Sequence, residues 1–350
     1  LSLIGYLIVV LLCFLVPKIQ ADVLLFLILS LTIFFTAIGC EWFYQGIEDF
    51  KYITIRGLVI KVIALALLFI FVRSKDDILL YGCYVVFGVL GGNIFNFFRL
   101  RKYIHKENII FSELRIKRHI KPVLKVFSFS LVTSIYLQLN TVLLGFMKSA
   151  TAVGYFVAST KIMQMVKGVS SSLGTVMMPR ISNLVATKKN EEFKNLIQKS
   201  YDFSLSISLP LTVGLIVCAP NLIKLLCGEN FENSILPSQI LAPIIYLVAM
   251  SNIMGIQVLF PLGKVNLVTL CCGIGAIVDL LVNLVLIPQY SYVGTAIAYL
   301  CAEFATTLSM FFIGRKYIPI IYIKKEHLKY VLGCSFMFLM LCFVNVWDVP

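Results

Sequence analysis

Two lysines lie inside one long apolar segment, where charge is costly. Lys161 and Lys167 belong to the segment 152–178, which otherwise predicts a membrane-spanning helix. At about 100° per residue, both lysines fall with Gln164 on one polar arc of roughly 140°, opposite an apolar face. A lysine at the bilayer centre costs about 2.5–3.5 kcal/mol, so this arc predicts the wall of a water-filled cavity that receives an anionic substrate group. The alternative is that Lys167 snorkels to the cytoplasmic side and only Lys161 lies deep.

The preceding apolar segment, 122–147, carries a second polar face. Gln138 lies on this face together with Ser130, Ser134 and Thr141. Because amide and hydroxyl groups hydrogen-bond to sugars, Gln138 is a candidate wall residue of the same cavity. The same groups also join neighbouring helices in membranes, which is the structural alternative.

Three acids in apolar segments are candidates for ion coupling. They are Glu41 in 23–47, Asp279 in 265–287 and Glu303 in 291–313. Asp279 and Asn283 are four residues apart and share a helix face. An intramembrane acid suits a proton carrier in an ion-driven transporter. The alternative is a structural ion pair, for instance between Glu41 and Lys61 on the neighbouring span.

The sequence lacks the common catalytic and metal-binding patterns. The histidines, His105, His119 and His327, lie in basic loops, away from any set of acids and nucleophiles. The 10 cysteines are scattered through apolar runs without a C-x-x-C spacing, and no G-x-x-x-x-G-K-[ST] phosphate loop occurs. We therefore predict that the protein is not an enzyme and uses no cofactor or metal.

The composition indicates that lipid is the solvent of this chain. Hydrophobic residues make up 60% of the 350 residues and charged residues 13%, with a mean hydropathy of +0.95. Soluble domains carry about 25% charged residues. A spanning helix needs about 20 apolar residues, so the sequence predicts an all-α polytopic membrane protein with about eleven spans. The predicted spans are 1–16, 23–47, 53–72, 78–98, 122–147, 152–178, 201–226, 236–260, 265–287, 291–313 and 328–346.

The loops differ in charge, which predicts the orientation of the spans. The net charge of +13 comes from short basic loops, so it indicates topology and not nucleic-acid binding. These basic loops are cytoplasmic by the positive-inside rule. Five connections poor in Lys and Arg face outward: 17–22, 73–77, 148–151, 227–235 and 288–290. The cytoplasmic segment 179–200 has the pattern of an amphipathic helix on the membrane surface.

The spans form two groups related by a faint internal repeat. The groups are a four-helix N-terminal bundle at 1–98 and a seven-helix C-terminal bundle at 122–350, joined by a cytoplasmic linker at 99–121. The sequence RKYI at 101–104 recurs at 315–318, 214 residues later. Such a parallel repeat predicts two pseudo-symmetric helical bundles. The first bundle is then incomplete, and since the chain begins at Leu1 without Met, we expect its first two helices to be missing.

Several stretches resemble a known family. The sequences EWFYQGI at 41–47, KYIT at 51–54 and FVRSKDD at 71–77 closely resemble bacterial Wzx-type O-antigen flippases of the polysaccharide biosynthesis family. Other matches are shared across the wider multidrug/oligosaccharide/polysaccharide exporter superfamily: 153–155, 161–162, 179–181, Gln257, 261–264 and 283–288 leading to Gly294. The resemblance covers nearly the whole chain.

The resemblance implies a fold of two six-helix bundles around a central cavity and a function in transport. The expected substrate is an undecaprenyl-diphosphate-linked O-antigen repeat unit, moved by alternating access from the cytoplasmic to the periplasmic leaflet of the bacterial inner membrane during lipopolysaccharide biosynthesis. The partners implied are lipid-linked oligosaccharide, membrane lipid, and polysaccharide polymerase and chain-length proteins. In related flippases cavity cations receive the diphosphate, a role carried here to Lys161 and secondly to Lys167.

Three other functions compete with this interpretation. A small-molecule exporter of the same superfamily would need acids for cationic drugs, which the basic arc does not supply. A membrane-embedded O-antigen polymerase or ligase would need a long outward loop for its catalytic groups. A flippase for peptidoglycan precursor would share the fold and much of the chemistry, so only substrate tests separate it.

Overall fold

The architecture follows from a computed structural model that describes residues 2–15, 20, 23–74, 77–103, 116–322 and 324–346. Most of the described residues are helical and no strand occurs in these ranges, as expected for backbone that must satisfy its own hydrogen bonds in lipid. The all-α fold class is therefore confirmed. Two compact units divide the chain, Leu1–Glu113 and Leu114–Pro350.

The helices are long, and most match the predicted spans. The N-terminal unit contains α1 Ser2–Leu15, α2 Val23–Ile38, α3 Glu41–Gly46, α4 Phe50–Phe71 and α5 Ile78–Leu100. The C-terminal unit contains α6 Ile116–Met147, α7 Ala150–Ala186, α8 Asn190–Cys227, α9 Ile235–Leu241, α10 Ile244–Asn252, α11 Val265–Gly314 and α12 His327–Val346. A 3₁₀ turn at Glu229–Ser234 precedes α9, and a π-helical segment at Ile253–Leu259 extends α10.

Six of these helices are long and apolar enough to cross a membrane, or seven if the bent pair Glu229–Leu241 and Ile244–Leu259 counts as one span. The chain is therefore a multi-pass membrane protein. Helix α7 is not among the six, because its lysines and hydroxyl residues lower its hydropathy. The exact number of spans, about eleven, stays a prediction, as does the absence of two helices. Residues 104–115 of the predicted linker lie outside the described ranges.

Helix α11 is a hairpin and not one straight rod. Ser291 has φ 51° and ψ −129°, which reverses the chain between the arms 265–290 and 292–314. The backbone carbonyl of Leu286 lies where a side chain at Gly294 would project, whereas eight residues of straight helix would separate the two by about 12 Å. Deeper in the hairpin, Gly275 lies against Thr306. The two predicted spans 265–287 and 291–313 therefore pack against each other.

The hairpin reproduces α4 and α5 at the offset of the sequence repeat. Adding 214 to Ile78 and Leu100, the ends of α5, gives 292 and 314, which are the ends of the second arm. Adding 214 to Phe50 gives 264, one residue before the first arm begins. The repeated RKYI sequence follows directly after each hairpin. The repeat predicted from four residues thus agrees with the boundaries of two helix pairs.

Contacts between connections support the predicted sidedness of the C-terminal unit. At the outward end, Lys148 Nζ donates to the carbonyl of Pro288 at 3.0 Å, and the Tyr155 ring lies 5.9 Å from Phe231 and 5.3 Å from Tyr292. Three connections with few cations therefore meet at one end of the unit. The basic connections meet at the other end, as the positive-inside pattern predicts.

Asp202 holds the basic end of this unit together. Its carboxylate accepts hydrogen bonds from Lys324 Nζ at 2.8 Å and Gln198 Nε2 at 2.8 Å, and it contacts His327 Nε2 at 3.0 Å. Gln198 also accepts a bond from the backbone N–H of Ile321 at 2.8 Å. These bonds attach the start of α12 to α8.

The expectation of a separate surface helix at 179–200 is wrong. Residues up to Ala186 continue α7, and residues from Asn190 onward begin α8, with a short turn between them. The apolar side chains Phe193 and Ile197 are buried in the protein core, against Ile181 among others. The amphipathic pattern is real, but its apolar face packs on protein and not on lipid.

The hairpin geometry predicts opposite effects for two nearby glycines. Gly275→Ala would force Thr306 or the backbone of Ala302 to move, so we expect a loss of about 1–3 kcal/mol in unfolding free energy. Gly273→Ala, on the same arm, meets nothing within 4 Å and is the matched control, expected to be neutral or slightly stabilising. Unfolding titrations with SDS in mixed micelles measure both. Equal stability of the two variants would show that the arms do not pack at this point.

Candidate functional site

Lys161 lies on the exposed side of α7. Its neighbours in sequence, Ile162 and Met163, are buried at 3% and 0% exposure, whereas Lys161 and Gln164 are both exposed. This is the predicted division between a polar arc and an apolar face. Among the described residues, no carboxylate lies within 4 Å of the Lys161 ammonium. The charge of Lys161 is thus available to a ligand on the surface of the C-terminal unit.

The two lysines of α7 lie at different depths. Counted from Ala150 at the outward end, Lys161 lies about 17 Å along the helix and Lys167 about 26 Å. A hydrocarbon core is about 30 Å thick, so Lys161 lies near its middle and Lys167 near its cytoplasmic boundary. The alternative that Lys167 snorkels to the cytoplasmic side agrees with this depth. It does not explain why the Lys167 side chain lines a pocket.

Lys167 lines a pocket of about 250 Å³ within the C-terminal unit. The other polar groups of the wall include those of Thr133, Asn252, Glu303 and Thr306. The side-chain oxygens of Asn252 and Thr306 are buried, and neither has a hydrogen-bond partner among the described residues. Buried polar atoms are normally satisfied by protein or water, so this pocket is suited to hold water beside Lys167.

Gln138 is exposed on α6, the helix next to α7. Gly145 of α6 lies against Val153 of α7, which fixes the register of the two antiparallel helices. Seven residues further along each helix, Gln138 therefore lies at the depth of Thr160 and Lys161. The exposed polar faces of α6 and α7 thus share one level of the membrane, and we call Gln138, Lys161 and Gln164 the polar strip.

Asp279 is fully buried in a cluster of amides. Asn140 Nδ2 on α6 donates to Asp279 Oδ2 at 3.0 Å, and Asn283 Nδ2 donates to Asp279 Oδ1 at 3.1 Å and to Asn140 Oδ1 at 2.8 Å. No Lys, Arg or His of the described chain pairs with Asp279. The side-chain oxygen of Asn283 also belongs to this cluster. It is buried and has no hydrogen-bond partner among the described residues. A buried acid without a cation is stabilised by binding a proton or a small cation.

Glu303 connects this cluster with the Lys167 pocket. It lies on the second arm of α11 with 6% exposure, and the contact of Gly275 with Thr306 places it opposite the turn of the first arm that carries Asp279. It also lines the pocket that contains Lys167. Two of the three predicted acids are therefore brought together, next to one of the two predicted lysines.

Glu41 belongs to the other unit and has a different environment. Its carboxylate lies 3.3 Å from Arg56 Nη2, so the structural ion pair exists, but its partner is Arg56 and not Lys61. Arg56 lies in the second turn of α4, where only 10% of its side chain is exposed. This ion pair favours a structural role for Glu41 over ion coupling.

Some residues of these sites are not evident from the sequence. Asn140 meets Asp279 across 139 positions, a distance at which periodicity gives no information. Asn252 lies in an apolar stretch of α10, yet the structure places it in the wall of the Lys167 pocket. One feature of the sequence does distinguish Asn140. It lies two residues after Gln138 on α6, which places the two side chains on different faces of the helix.

Comparison with known proteins identifies the family. The model of the family described as polysaccharide biosynthesis protein matches residues 1–185. The chain belongs to this family. Two relatives, from Shigella dysenteriae and Escherichia coli strain K12, carry the name "Putative O-antigen transporter". The Shigella protein is 27% identical over 81% of this chain and 71% of its own length; the Escherichia protein is 25% identical over 78% and 66%.

A solved structure shares the fold. The lipid II flippase MurJ, in an inward closed conformation, superposes with a TM-score of 0.73 over 100% of this chain and 76% of its own length, at 16% sequence identity. This likeness confirms the polytopic helical fold of the chain. The resemblance to Wzx-type proteins, recognised from the sequences near Glu41 and Lys51, is confirmed by the family match.

The buried cluster predicts a large effect of removing one amide. Asn140→Ala deletes the donor to Asp279 and the acceptor for Asn283, so we expect the unfolding free energy to fall by about 1–3 kcal/mol. Thermal unfolding of purified protein in detergent measures the effect. Ser134→Ala, at an exposed position of the same helix, is the control and should unfold like the original protein. The cluster is not a stabilising element if the two variants unfold at one temperature.

Proposed function

We propose that this protein translocates a lipid-linked oligosaccharide across the bacterial inner membrane. The substrate class is an undecaprenyl-diphosphate-linked O-antigen repeat unit, which moves from the cytoplasmic to the periplasmic leaflet by alternating access. The observation that carries the proposal is Lys161, an exposed cation at mid-membrane depth with no carboxylate near it among the described residues. Support comes from family membership and from two relatives named as O-antigen transporters.

The physical problem of such a transporter is the headgroup. A diphosphate carries two or more negative charges and strong hydrogen-bond acceptors, and moving it through hydrocarbon without solvation is prohibitive. The polyprenyl tail has no such difficulty and can stay in lipid throughout. A wet surface with a few cations therefore replaces the solvation that the diphosphate loses, and no covalent step is needed.

The polar strip provides groups of the right kind. Lys161 contributes the positive charge that receives the diphosphate, and Gln164 one turn along α7 offers an amide to the same ligand. Gln138, at the same depth on α6, offers donors and acceptors for sugar hydroxyls. Lys167, about 9 Å further toward the cytoplasm, serves as a second receiver at the pocket that it lines.

The acid cluster supplies a means of coupling transport to an ion gradient. Asp279, with Asn140 and Asn283, offers a carboxylate and amide oxygens without a protein cation, which suits a proton or a monovalent cation. Glu303 lies between this cluster and the Lys167 pocket. Binding of a proton or cation to Asp279 therefore changes the electrostatic environment of Glu303, which in turn lines the pocket of Lys167. Transport of O-antigen units would place the protein beside a polysaccharide polymerase and chain-length proteins.

The first test removes the proposed receiver. Lys161→Ala should abolish surface polysaccharide in a strain that lacks its own transporter, because the diphosphate loses its mid-membrane partner. Lys161→Arg, which keeps the charge, should restore part of it. The measurement is a polysaccharide gel and blot, with membrane abundance determined in parallel.

The control for this test is Lys199→Ala, which removes an exposed lysine from the cytoplasmic end of α8. It should leave surface polysaccharide unchanged. Full polysaccharide in the Lys161→Ala strain would contradict the role of this residue. A chain that restores cell-wall synthesis and no surface polysaccharide would indicate peptidoglycan precursor as the substrate instead.

The second test concerns coupling. Asp279→Asn keeps the shape of the side chain but cannot ionise, so we expect gradient-dependent transport in proteoliposomes to fall at least tenfold. An imposed proton or sodium gradient should stimulate the original protein and not the variant. Glu191→Gln, at an exposed position of α8, is the control. An Asp279→Asn protein that responds normally to the gradient would remove Asp279 from the mechanism.

A further inference from the structure

The N-terminal unit contains a second polar pocket that the proposed function does not use. Its volume is about 440 Å³, and helices α2 to α5 all contribute to its wall. The residues that give it chemical character are Arg56 and Lys61 on α4, Glu41 and Trp42 on α3, and Asn93 on α5. Two cations and one acid leave the wall with a net positive charge.

Arg56 is the most buried charge of this wall. Its Nη1 donates to the carbonyl of Gly92 at 3.1 Å, and its Nη2 lies 3.3 Å from Glu41. Its Nε–H is buried and has no partner among the described residues. A guanidinium offers five donors in a planar fork that matches phosphate oxygens, and here the fork is incompletely used.

Lys61 adds a second, unneutralised charge. It lies five residues after Arg56 on the same helix, is exposed, and has no carboxylate within 4 Å in the described part of the chain. Glu41 is itself 46% exposed and makes only the long contact to Arg56. This single acid therefore leaves one positive charge of the pocket unneutralised, and an anionic ligand can match it.

The pocket lies toward the cytoplasmic end of the unit. Arg56 is six residues from the first residue of α4, about 9 Å along the helix, and Lys61 is about 17 Å along it, near the middle of α4. The basic end of the same helices is closed by the Arg99–Asp49 ion pair at 2.8 Å. A ligand that starts in the cytoplasmic leaflet therefore meets Arg56 first and reaches Lys61 at mid-membrane depth.

The internal repeat gives this pocket a counterpart in the other unit. At the offset of 214, Val89 and Gly92 of this wall correspond to Glu303 and Thr306, which line the pocket of Lys167. In both units the helix hairpin contributes to the wall of the pocket. A cationic side chain borders the pocket each time, although it comes from a different helix.

We propose that the pocket of Arg56 and Lys61 is a binding site for phosphate esters, in which the fork of Arg56 and the ammonium of Lys61 hold the diphosphate of a lipid-linked substrate on its way from the cytoplasmic leaflet. This proposal rests on the proposed function. Glu41 competes with the ligand for Arg56, so the ion pair opens when the diphosphate binds. Trp42 borders the site and reports on its occupation.

Trp42 makes a direct binding measurement possible. The chain has only two tryptophans, so Trp347→Phe leaves Trp42 as the sole indole. The protein is placed in nanodiscs of phosphatidylcholine and titrated with farnesyl diphosphate, with farnesol as the uncharged probe. We expect a saturable change of Trp42 emission with farnesyl diphosphate alone. An equal response to farnesol would overturn the proposal.

Variants then assign the contacts. Arg56→Gln and Lys61→Gln should each weaken the binding of farnesyl diphosphate at least tenfold, the size expected when one charged contact to phosphate is lost. Lys51→Gln, which removes an exposed lysine outside the pocket on the same helix, should bind normally. Glu41→Gln, which removes the competing acid, should bind more tightly. Unchanged affinity in both Arg56→Gln and Lys61→Gln would exclude the site.

Two further arms separate the sources of phosphate and the two proposals. If phosphatidylglycerol nanodiscs change Trp42 emission and block farnesyl diphosphate, the site binds bulk anionic lipid and the assignment to the lipid-linked substrate is wrong. Surface polysaccharide is measured for Arg56→Gln as well, and its loss together with binding supports the proposal. Binding without any polysaccharide export by the original protein would remove the proposed function but not the site.

Discussion

A charged side chain in hydrocarbon is costly, and this cost constrains where the charged residues of this structure can lie. Exposed apolar side chains need no explanation in a membrane protein, because lipid is their solvent. Lys161 on α7 does need one, since an exposed ammonium near the bilayer centre is stable only beside water or an anion. Asp279 meets the same constraint by burial and not by exposure. It is fully buried in the protein, where amide groups donate hydrogen bonds to its carboxylate.

The helix hairpin is the element that makes these charges tolerable. Packing Gly275 against Thr306 brings the two arms of α11 close together, so that Asp279 on one arm and Glu303 on the other share a protein interior. Asn140 reaches the first arm from α6 and completes the cluster. Small residues allow close helix approach in membranes, and here the close approach excludes lipid from the acids.

Much of this fold was accessible from the sequence because hydrophobic length and loop charge are local properties. The spans at 265–287 and 291–313 were predicted on either side of Pro288, and the structure reverses the chain at Ser291. The sequence does not show which polar side chains contact each other, because these contacts depend on packing between segments that are distant in the chain. Arg56 illustrates the limit: it lies within the predicted span 53–72, but only the structure shows that its side chain is largely buried and paired with Glu41.

The repeat also shows where the two units have diverged chemically. At the offset of 214, Asp279 and Asn283 correspond to Leu65 and Phe69, so the N-terminal unit has no acid cluster at this place. Conversely, Arg56 and Lys61 correspond to Leu270 and Gly275, so the C-terminal unit has no cations on this face of its hairpin.

The hairpin helices of the N-terminal unit thus carry cations, and those of the C-terminal unit carry acids. Within each unit some opposite charges nevertheless meet: Glu41 pairs with Arg56 at 3.3 Å, and Glu303 lines the same pocket as Lys167. The attraction between such opposite charges offsets part of the cost of removing them from water.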